Sequence, residues 1–382
     1  MITIGKTYVA YEDNQARLCA DISVNDRHRT IWFGVERDKA SWLTMDRSDP
    51  FVLAMLPTAM RKGYDLRWES PVSERLRYQL QDYLIPTLTA GGKRYFNMNL
   101  IGETTNQPYP SEGAIVTAFS GGVDSLYTIM RHETNPHCTL THLAVFNVGV
   151  YEGREYQNTF RRACGTAAEF AEERGLQTVF LDSNLYEVLP EHFISVNGFR
   201  NLSGTLALQG LIGTYLLSSA FSAEEFQINL DRSAAYDLLL TNCINTETTG
   251  VYLSGLEADR IEKMEAIADW EPSHRWLSSC VYNIPGKKAC GTCKKCIRDL
   301  LSFYAMGKLE NYSEIYDLQA FRRSIPQKIG FIMAERNEYF SKIVLEKLEK
   351  SLVPIPPAAY VFEKQFTRAL ENLKEKEQSH EN

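Results

Sequence analysis

The sequence predicts an α/β protein: a Rossmann-like parallel sheet with helices on both faces, an N-terminal α+β domain ahead of it, and a metal-binding C-terminal segment behind. Three observations carry this. From residue 114 onward, short apolar runs alternate with helix-patterned segments, the pattern of repeated βα units. Those runs (AIVTAF, HLAVFNVGV, QTVFLD) are continuous rather than alternating, as strands covered on both faces are. Four of the eight cysteines crowd into residues 280–296, which is metal-ligand spacing rather than a disulfide framework.

Taken in order, residues 1–112 read as a separate strand-rich domain. ITIGKTYVAY, ARLCADISV and RTIWFGVE are short apolar runs between turn-prone clusters. PVSERLRYQLQDYLI (71–85) reads as a helix, with Ser70 as its cap and Pro71 in its first turn. NQPYPSEG (106–113) gathers the residues of a linker. The second domain, 113–310, then opens with AIVTAF as strand and SLYTIMRH as helix. HLAVFNVGV and QTVFLD are further strands around an amphipathic helix that ends on Gly175. Asn201–Ala223 carries no charge and is long enough to span a bilayer. Its serines, threonines and glycines favour a buried, closely packed helix instead. FQINL (226–230) and VYLSGL (251–256) read as strands, and 259–269 and 297–307 as helices. Residues 311–382 form a helical tail that grows more charged toward its end.

The chain has 382 residues, 44% hydrophobic and 23% charged, with a net charge of −7. Two or three domains are expected. The acidic balance argues against general nucleic-acid binding, which needs a basic surface. The first residues show no apolar signal region, so a cytoplasmic protein with no membrane partner is expected.

The strongest local signal is Ser120-Gly121-Gly122-Val123-Asp124-Ser125, between Phe119 and Leu126 where a buried strand gives way to a helix. A helix N-terminus presents unpaired N–H groups and partial positive charge. Glycines let the backbone approach an anion and form a nest of donors. Ser120 and Ser125 add hydroxyls, and Asp124 or Ser125 can cap the helix. The pattern predicts a phosphate site without the lysine that ends a Walker loop.

Cys280, Cys290, Cys293 and Cys296 form C-x9-C-x2-C-x2-C. Four thiolates with no open position fit structural zinc. An iron–sulfur cluster uses the same ligands. Lys287, Lys288, Lys294 and Lys295 read as solvated lysines around the knuckle, or as a small anion-attracting patch.

SGGVDS resembles the pyrophosphate-binding loop of the ATP pyrophosphatases, which have the adenine nucleotide alpha hydrolase-like fold and split ATP between the α and β phosphates. Followed by C…CGxCxKC, it resembles more narrowly the 7-cyano-7-deazaguanine synthase family, over residues 114–308. Gly198-Phe199-Arg200-Asn201 is similar to the family's Gly-Arg-Asn with one residue inserted, and Arg260-Ile261-Glu262 to its Lys-x-Glu. The family's Gln-Arg-His is absent from 146–151. Its Asp-x-Ser-Gly-Tyr-Pro-Asp is only echoed by Asp231-Arg232-Ser233-Ala234-Ala235-Tyr236-Asp237. The chain thus looks like a long, divergent branch, similar to proteins encoded in bacterial anti-phage defence operons.

The resemblance implies an ATP-dependent carbon–nitrogen ligase that activates a deazapurine carboxylate as its acyl-adenylate. The amine acceptor is ammonia or a protein docked through residues 1–112. ATP, Mg2+ and Zn2+ are the implied cofactors. Phe119, Ser120, Gly121, Gly122, Val123, Asp124, Ser125 and Leu126 would hold ATP. Arg200 and Arg260 are the catalytic candidates, and Arg200, Asn201 and Asp231 the substrate candidates. Two other classes share the loop: a tRNA thiolase, which should be basic, and a non-catalytic ATP-binding adaptor.

Overall fold

The structure is a computed structural model and describes residues 1–25, 27–92, 94–151, 156–280 and 288–380. The chain divides into two compact units. One comprises Met1–Ser120 and Arg131–Glu257, the other Gly121–Met130 and Ala258–Asn382.

The first unit is built on one eleven-stranded sheet. Its strands are β1 (Ile2–Ile4), β2 (Tyr8–Glu12), β3 (Gln15–Val24), β4 (Arg27–Glu36), β5 (Leu66–Trp68), β7 (Leu100–Ile101), β9 (Ala114–Ala118), β10 (His142–Phe146), β11 (Gln177–Ser183), β12 (Ile212–Ser218) and β13 (Gly250–Ser254). A separate two-stranded ladder joins β6 (Val72–Ser73) to β8 (Thr104–Thr105). The large sheet runs β13-β12-β9-β10-β11-β4-β3-β1-β5-β7, with β2 on β3. All pairings from β13 to β11 are parallel, as the continuous apolar runs predict.

Residues 1–112 share this sheet. β4 pairs antiparallel with β11, Asp182 opposite Gly34 and Ser183 opposite Phe33. Asn184 clamps the join: its Oδ1 accepts from Trp32 N at 2.9 Å, and its Nδ2 donates to Thr30 O at 2.8 Å. The expected boundary near residue 112 therefore falls inside one sheet and one compact unit.

The helices of this unit are α1 (Asp49–Lys62), α2 (Glu74–Gln79), α3 (Ile85–Gly91), α5 (Tyr156–Arg174), α6 (Leu185–Val188), α7 (Phe193–Leu206) and α8 (Asp237–Cys243). Helix α4 (Val123–His132) lies mostly in the second unit. Helix α1 is buried nearly throughout and packs on α7. Ser73, not Ser70, caps α2: its Oγ accepts from Leu76 N at 2.9 Å.

Two expectations are corrected. The uncharged stretch 201–223 is not one helix. Helix α7 ends at Leu206, the chain turns, and β12 begins at Ile212. The turn is held by Thr44, whose N–H donates to Ala207 O at 2.9 Å and whose Oγ1 accepts from Gln209 N at 3.0 Å. A Cβ on Gly210 would meet Ser41 O at 2.3 Å, so this reversal needs glycine. FQINL is not a strand either. It follows a short helical turn, Ala223–Glu225, and joins no ladder.

The second unit is helical. It holds the start of α4 with α9 (Arg260–Ala268), α10 (Pro272–Trp276), α11 (Lys294–Ala305), α12 (Leu318–Arg323), α13 (Ile325–Ala334), α14 (Tyr339–Lys350) and α15 (Ala358–His380). Asp259 starts α9 with a capping box, its Oδ1 accepting from Glu262 N at 2.8 Å while Glu262 Oε2 accepts from Asp259 N at 2.8 Å. Met264, Ile267, Leu300, Phe303, Tyr312, Phe321 and Ile329 are buried among these helices. Among the described residues, no helix is long and apolar enough to cross a membrane.

Candidate functional site

The glycine-rich segment follows β9 directly. In the first unit, Phe119 N donates to Ala144 O at 2.8 Å, and the Phe119 ring stacks on Phe170 with centroids 4.9 Å apart. These contacts fix the chain's direction at Ser120. In the second unit, Gly121 has a φ of 68°, the left-handed region that favours glycine. Its carbonyl accepts from Ser278 N at 2.7 Å. A Cβ there would lie 2.9 Å from Ser278 Cβ and 3.2 Å from Trp276 O.

Helix α4 starts at once. Gly122 O accepts from Leu126 N at 3.0 Å and from Ser125 Oγ at 3.0 Å. Ser125 thus spends its hydroxyl proton inside the first turn. Val123 and Leu126 are buried and anchor the turn.

Asp124 is the charged member of this turn, and the second unit surrounds it with cations. Arg260 Nη1 lies 2.9 Å from its Oδ2, and Lys263 Nζ lies 3.9 Å from its Oδ1. Arg260 is held from a second side by Asp299, Nη2 to Oδ1 at 3.6 Å. Asp299 Oδ2 in turn accepts from Tyr316 Oη at 3.1 Å. Burial works against the charge on Arg260, but Asp124 and Asp299 outweigh it, so its pKa stands above the usual arginine value. The hydroxyl of Tyr316 is pushed well up, first by burial and then by Asp299. The structure therefore brings together Asp124 and Arg260, two residues read from the sequence. It adds Lys263, Asp299 and Tyr316, which sequence patterning missed.

The remaining predicted catalytic and substrate residues stand in the first unit. Arg200 is 2% exposed, and its Nη2 donates to Glu191 O at 2.8 Å and Leu189 O at 3.4 Å. It clamps the segment leading into α7. Asn201 lies within α7, and its Nδ2 donates to Asn197 O at 2.9 Å. Asp231 is 74% exposed and paired with Arg94 at 2.8 Å. Six residues on, Asp237 is buried against Gly198, where an added Cβ would meet its Oδ1 at 2.7 Å. That Oδ1 has no hydrogen-bond partner among the described residues. Burial raises the Asp237 pKa to about 7.

The four cysteines converge. Cys280, Cys290, Cys293 and Cys296 place their sulfurs within 4.8 Å of one another. Cys290 Sγ and Cys296 Sγ are 3.8 Å apart. Four sulfurs each about 2.3 Å from one tetrahedral ion would be about 3.8 Å apart, so the set fits such an ion. Backbone N–H groups support the sulfurs: Cys293 N donates to Cys290 Sγ at 3.1 Å and Thr292 N at 3.3 Å, while Cys290 N donates to Cys280 Sγ at 3.3 Å. Gly291, at a φ of 69°, forms the tight corner. Burial raises the Cys290 pKa, but the Thr292 and Cys293 N–H groups outweigh it and bring the thiol down to about 6.

Cys293 also caps α11, its Sγ accepting from Cys296 N. Of the nearby lysines, Lys294 pairs with Glu335 at 2.9 Å, Lys288 with Glu314 at 3.8 Å, and Lys295 is exposed. Lys287 lies outside the described residues.

Compared with known proteins, the chain matches no family model, no curated protein and no solved structure.

Proposed function

We propose that this protein is an ATP pyrophosphatase that activates a carboxylate. The carboxylate oxygen attacks the α-phosphorus of ATP, the bond to the bridging oxygen breaks, and pyrophosphate leaves. The acyl-adenylate then loses AMP to an amine. Most of the catalytic work is orientation and charge stabilisation.

The observation that carries the reading is a glycine-rich strand-to-helix turn whose first helical carboxylate, Asp124, is met by the cations Arg260 and Lys263. The start of α4 offers its N-terminal dipole to phosphate. Arg260 would neutralise charge developing on the phosphates, and Mg2+ would accompany the nucleotide. Strand order supports the reading. Taken in chain order, the five parallel strands lie as 3-2-1-4-5, with the order reversing at β9 and β12. That order agrees with a doubly wound Rossmann-like arrangement, in which ligands bind beyond the strand ends at the reversal. SGGVDS follows β9.

The acid class follows from the resemblance to the 7-cyano-7-deazaguanine synthase family: 7-carboxy-7-deazaguanine, converted to an amide or nitrile with ammonia or passed to a protein amine. Asp237 supports it. A buried carboxyl with an unpartnered oxygen among the described residues would suit the amidine edge of such a base, as a second candidate beside Asp231. Zinc at the cysteine set would be structural, since all four positions are filled by protein. A place in anti-phage defence belongs to the same proposal.

The test is incubation with ATP, Mg2+, the deazaguanine acid and ammonium. AMP and pyrophosphate should form in equal amounts and only when the acid is present. Formation of ADP and phosphate, or no nucleotide turnover under any of these conditions, would refute the reading. Nitrile formation without a partner would assign ammonia as the acceptor.

A further inference from the structure

So far Lys263 has entered only through its contact with Asp124, and its position is demanding. It lies three residues after Arg260 on α9, so the two share a helix face. Its side chain is 1% exposed and faces the same carboxylate that Arg260 already neutralises. Asp299 repeats the excess with opposite sign. Also 1% exposed, it is a second carboxylate on Arg260. Buried charges are costly unless paired, and one cation per carboxylate would satisfy Asp124. The geometry instead gives Asp124 two cations and Arg260 two carboxylates. Their contacts fall on different atoms: Arg260 on Oδ2 and Lys263 toward Oδ1 of Asp124, while Asp124 takes Nη1 and Asp299 faces Nη2 of Arg260.

We propose that Lys263 and Asp299 are positioning residues that make Arg260 a two-position arm. In one position, Nη1 of Arg260 rests on Asp124. When a triphosphate occupies the turn, Nη1 transfers to a phosphate oxygen. Lys263 then keeps Asp124 compensated, so the transfer strands no carboxylate. Asp299, oriented by Tyr316, keeps hold of Nη2, so the guanidinium pivots rather than leaves. The charge count of the four side chains is unchanged and no covalent bond is made. This rests on the ATP reading above.

The experiment compares wild type with Lys263→Met, Lys263→Arg and Asp299→Asn. It measures AMP release, thermal midpoint, and the Arg260 side-chain nitrogen resonance with and without ATP. In the wild type the resonance should shift on ATP binding. In Lys263→Met the shift should disappear and turnover should fall about 100-fold, the scale of a misplaced catalytic group. Lys263→Arg, which keeps the charge, should restore most of both. A Lys263→Met protein that folds and retains wild-type turnover and the wild-type shift overturns the proposal. So does a loss in Lys263→Met that follows the fall in thermal midpoint and is not restored by arginine. Should Lys263→Met fail to fold, Asp299→Asn decides: wild-type turnover and shift, or a loss that only follows the fall in thermal midpoint, overturns the proposal. A wild-type chain that neither binds nor splits ATP overturns the nucleotide reading itself. A wild type that does both, with variants indistinguishable from it, overturns the pivot alone.

Discussion

Gly121 is the residue on which the turn depends most directly. Its φ of 68° and the 2.9 Å approach a Cβ would make to Ser278 act together. Gly121→Ala should therefore add about 1–3 kcal/mol of strain and push Ser278 off the turn. The expected result is a lower thermal midpoint and loss of ATP binding by calorimetry. Unchanged affinity would mean that the turn is not the phosphate site. Asp237 makes a pH-dependent prediction. Its pKa is raised by burial from 3.8 to about 7, so the folded chain holds this proton more tightly than the unfolded chain. The contribution to stability is then complete below about pH 4 and is lost as pH rises through about 7. The thermal midpoint should fall between pH 5 and pH 8, on the order of a few degrees. Asp237→Asn should remove part of that fall. Asp49, raised to about 6 by burial despite bonds from Ser73 and Gln209, supplies another part.

Helix α11 shows how one element links two features that lie far apart in sequence. It begins at the four-cysteine cluster, where Cys293 is its cap, and carries Asp299 toward Arg260 on α9. Arg298 on the same helix pairs with Glu335, Nη2 to Oε2 at 3.8 Å, and with Glu338 at the start of α14. Withdrawing the metal should thus loosen the start of α11 first. Hydrogen exchange after chelation should show lost protection at 294–299. Protection that survives chelation would mean that packing alone holds the helix. How much the sequence revealed follows the same division between local and distant signals. The strands β9, β10 and β11, helix α5 and the cysteine spacing were readable because each is a local pattern. Helix α1 was not, because FVLAMLPTAM is apolar on every side and offers no periodicity to detect. Residues 201–223 misled because absence of charge marks burial and not helix. Lys263 and Asp299 were invisible as site residues. Each is an ordinary charge in an amphipathic helix until the fold sets both beside Arg260.

Each compact unit has its own source of stability, and that difference is measurable. The first unit buries both ends of an eleven-stranded sheet in one apolar core that runs from Ile2 and Phe33 to Tyr215 and Val251. The four clustered cysteines, Cys280, Cys290, Cys293 and Cys296, are not members of that core and fall in the second unit. The second unit is a set of helices, mostly short, and holds the four clustered cysteines. A tetrathiolate zinc, where the four cysteines held one, would contribute folding free energy directly. Its removal would leave Lys328 near sulfurs that regain protons. Burial already lowers the Lys328 pKa, opposed by Cys290 and Cys296. Purified protein should therefore contain one metal ion per chain. Cobalt substitution should give the thiolate charge-transfer absorption of a tetrahedral site, whereas an iron–sulfur cluster would appear as iron and sulfide. Chelation should lower the melting of the helical unit while amides of β9, β10 and β12 keep their protection. If the sheet amides and the helices instead lose protection together at one chelator concentration, the two units do not fold as separate cooperative bodies. The division of the chain at Ser120 and Glu257 would then be one of contacts only.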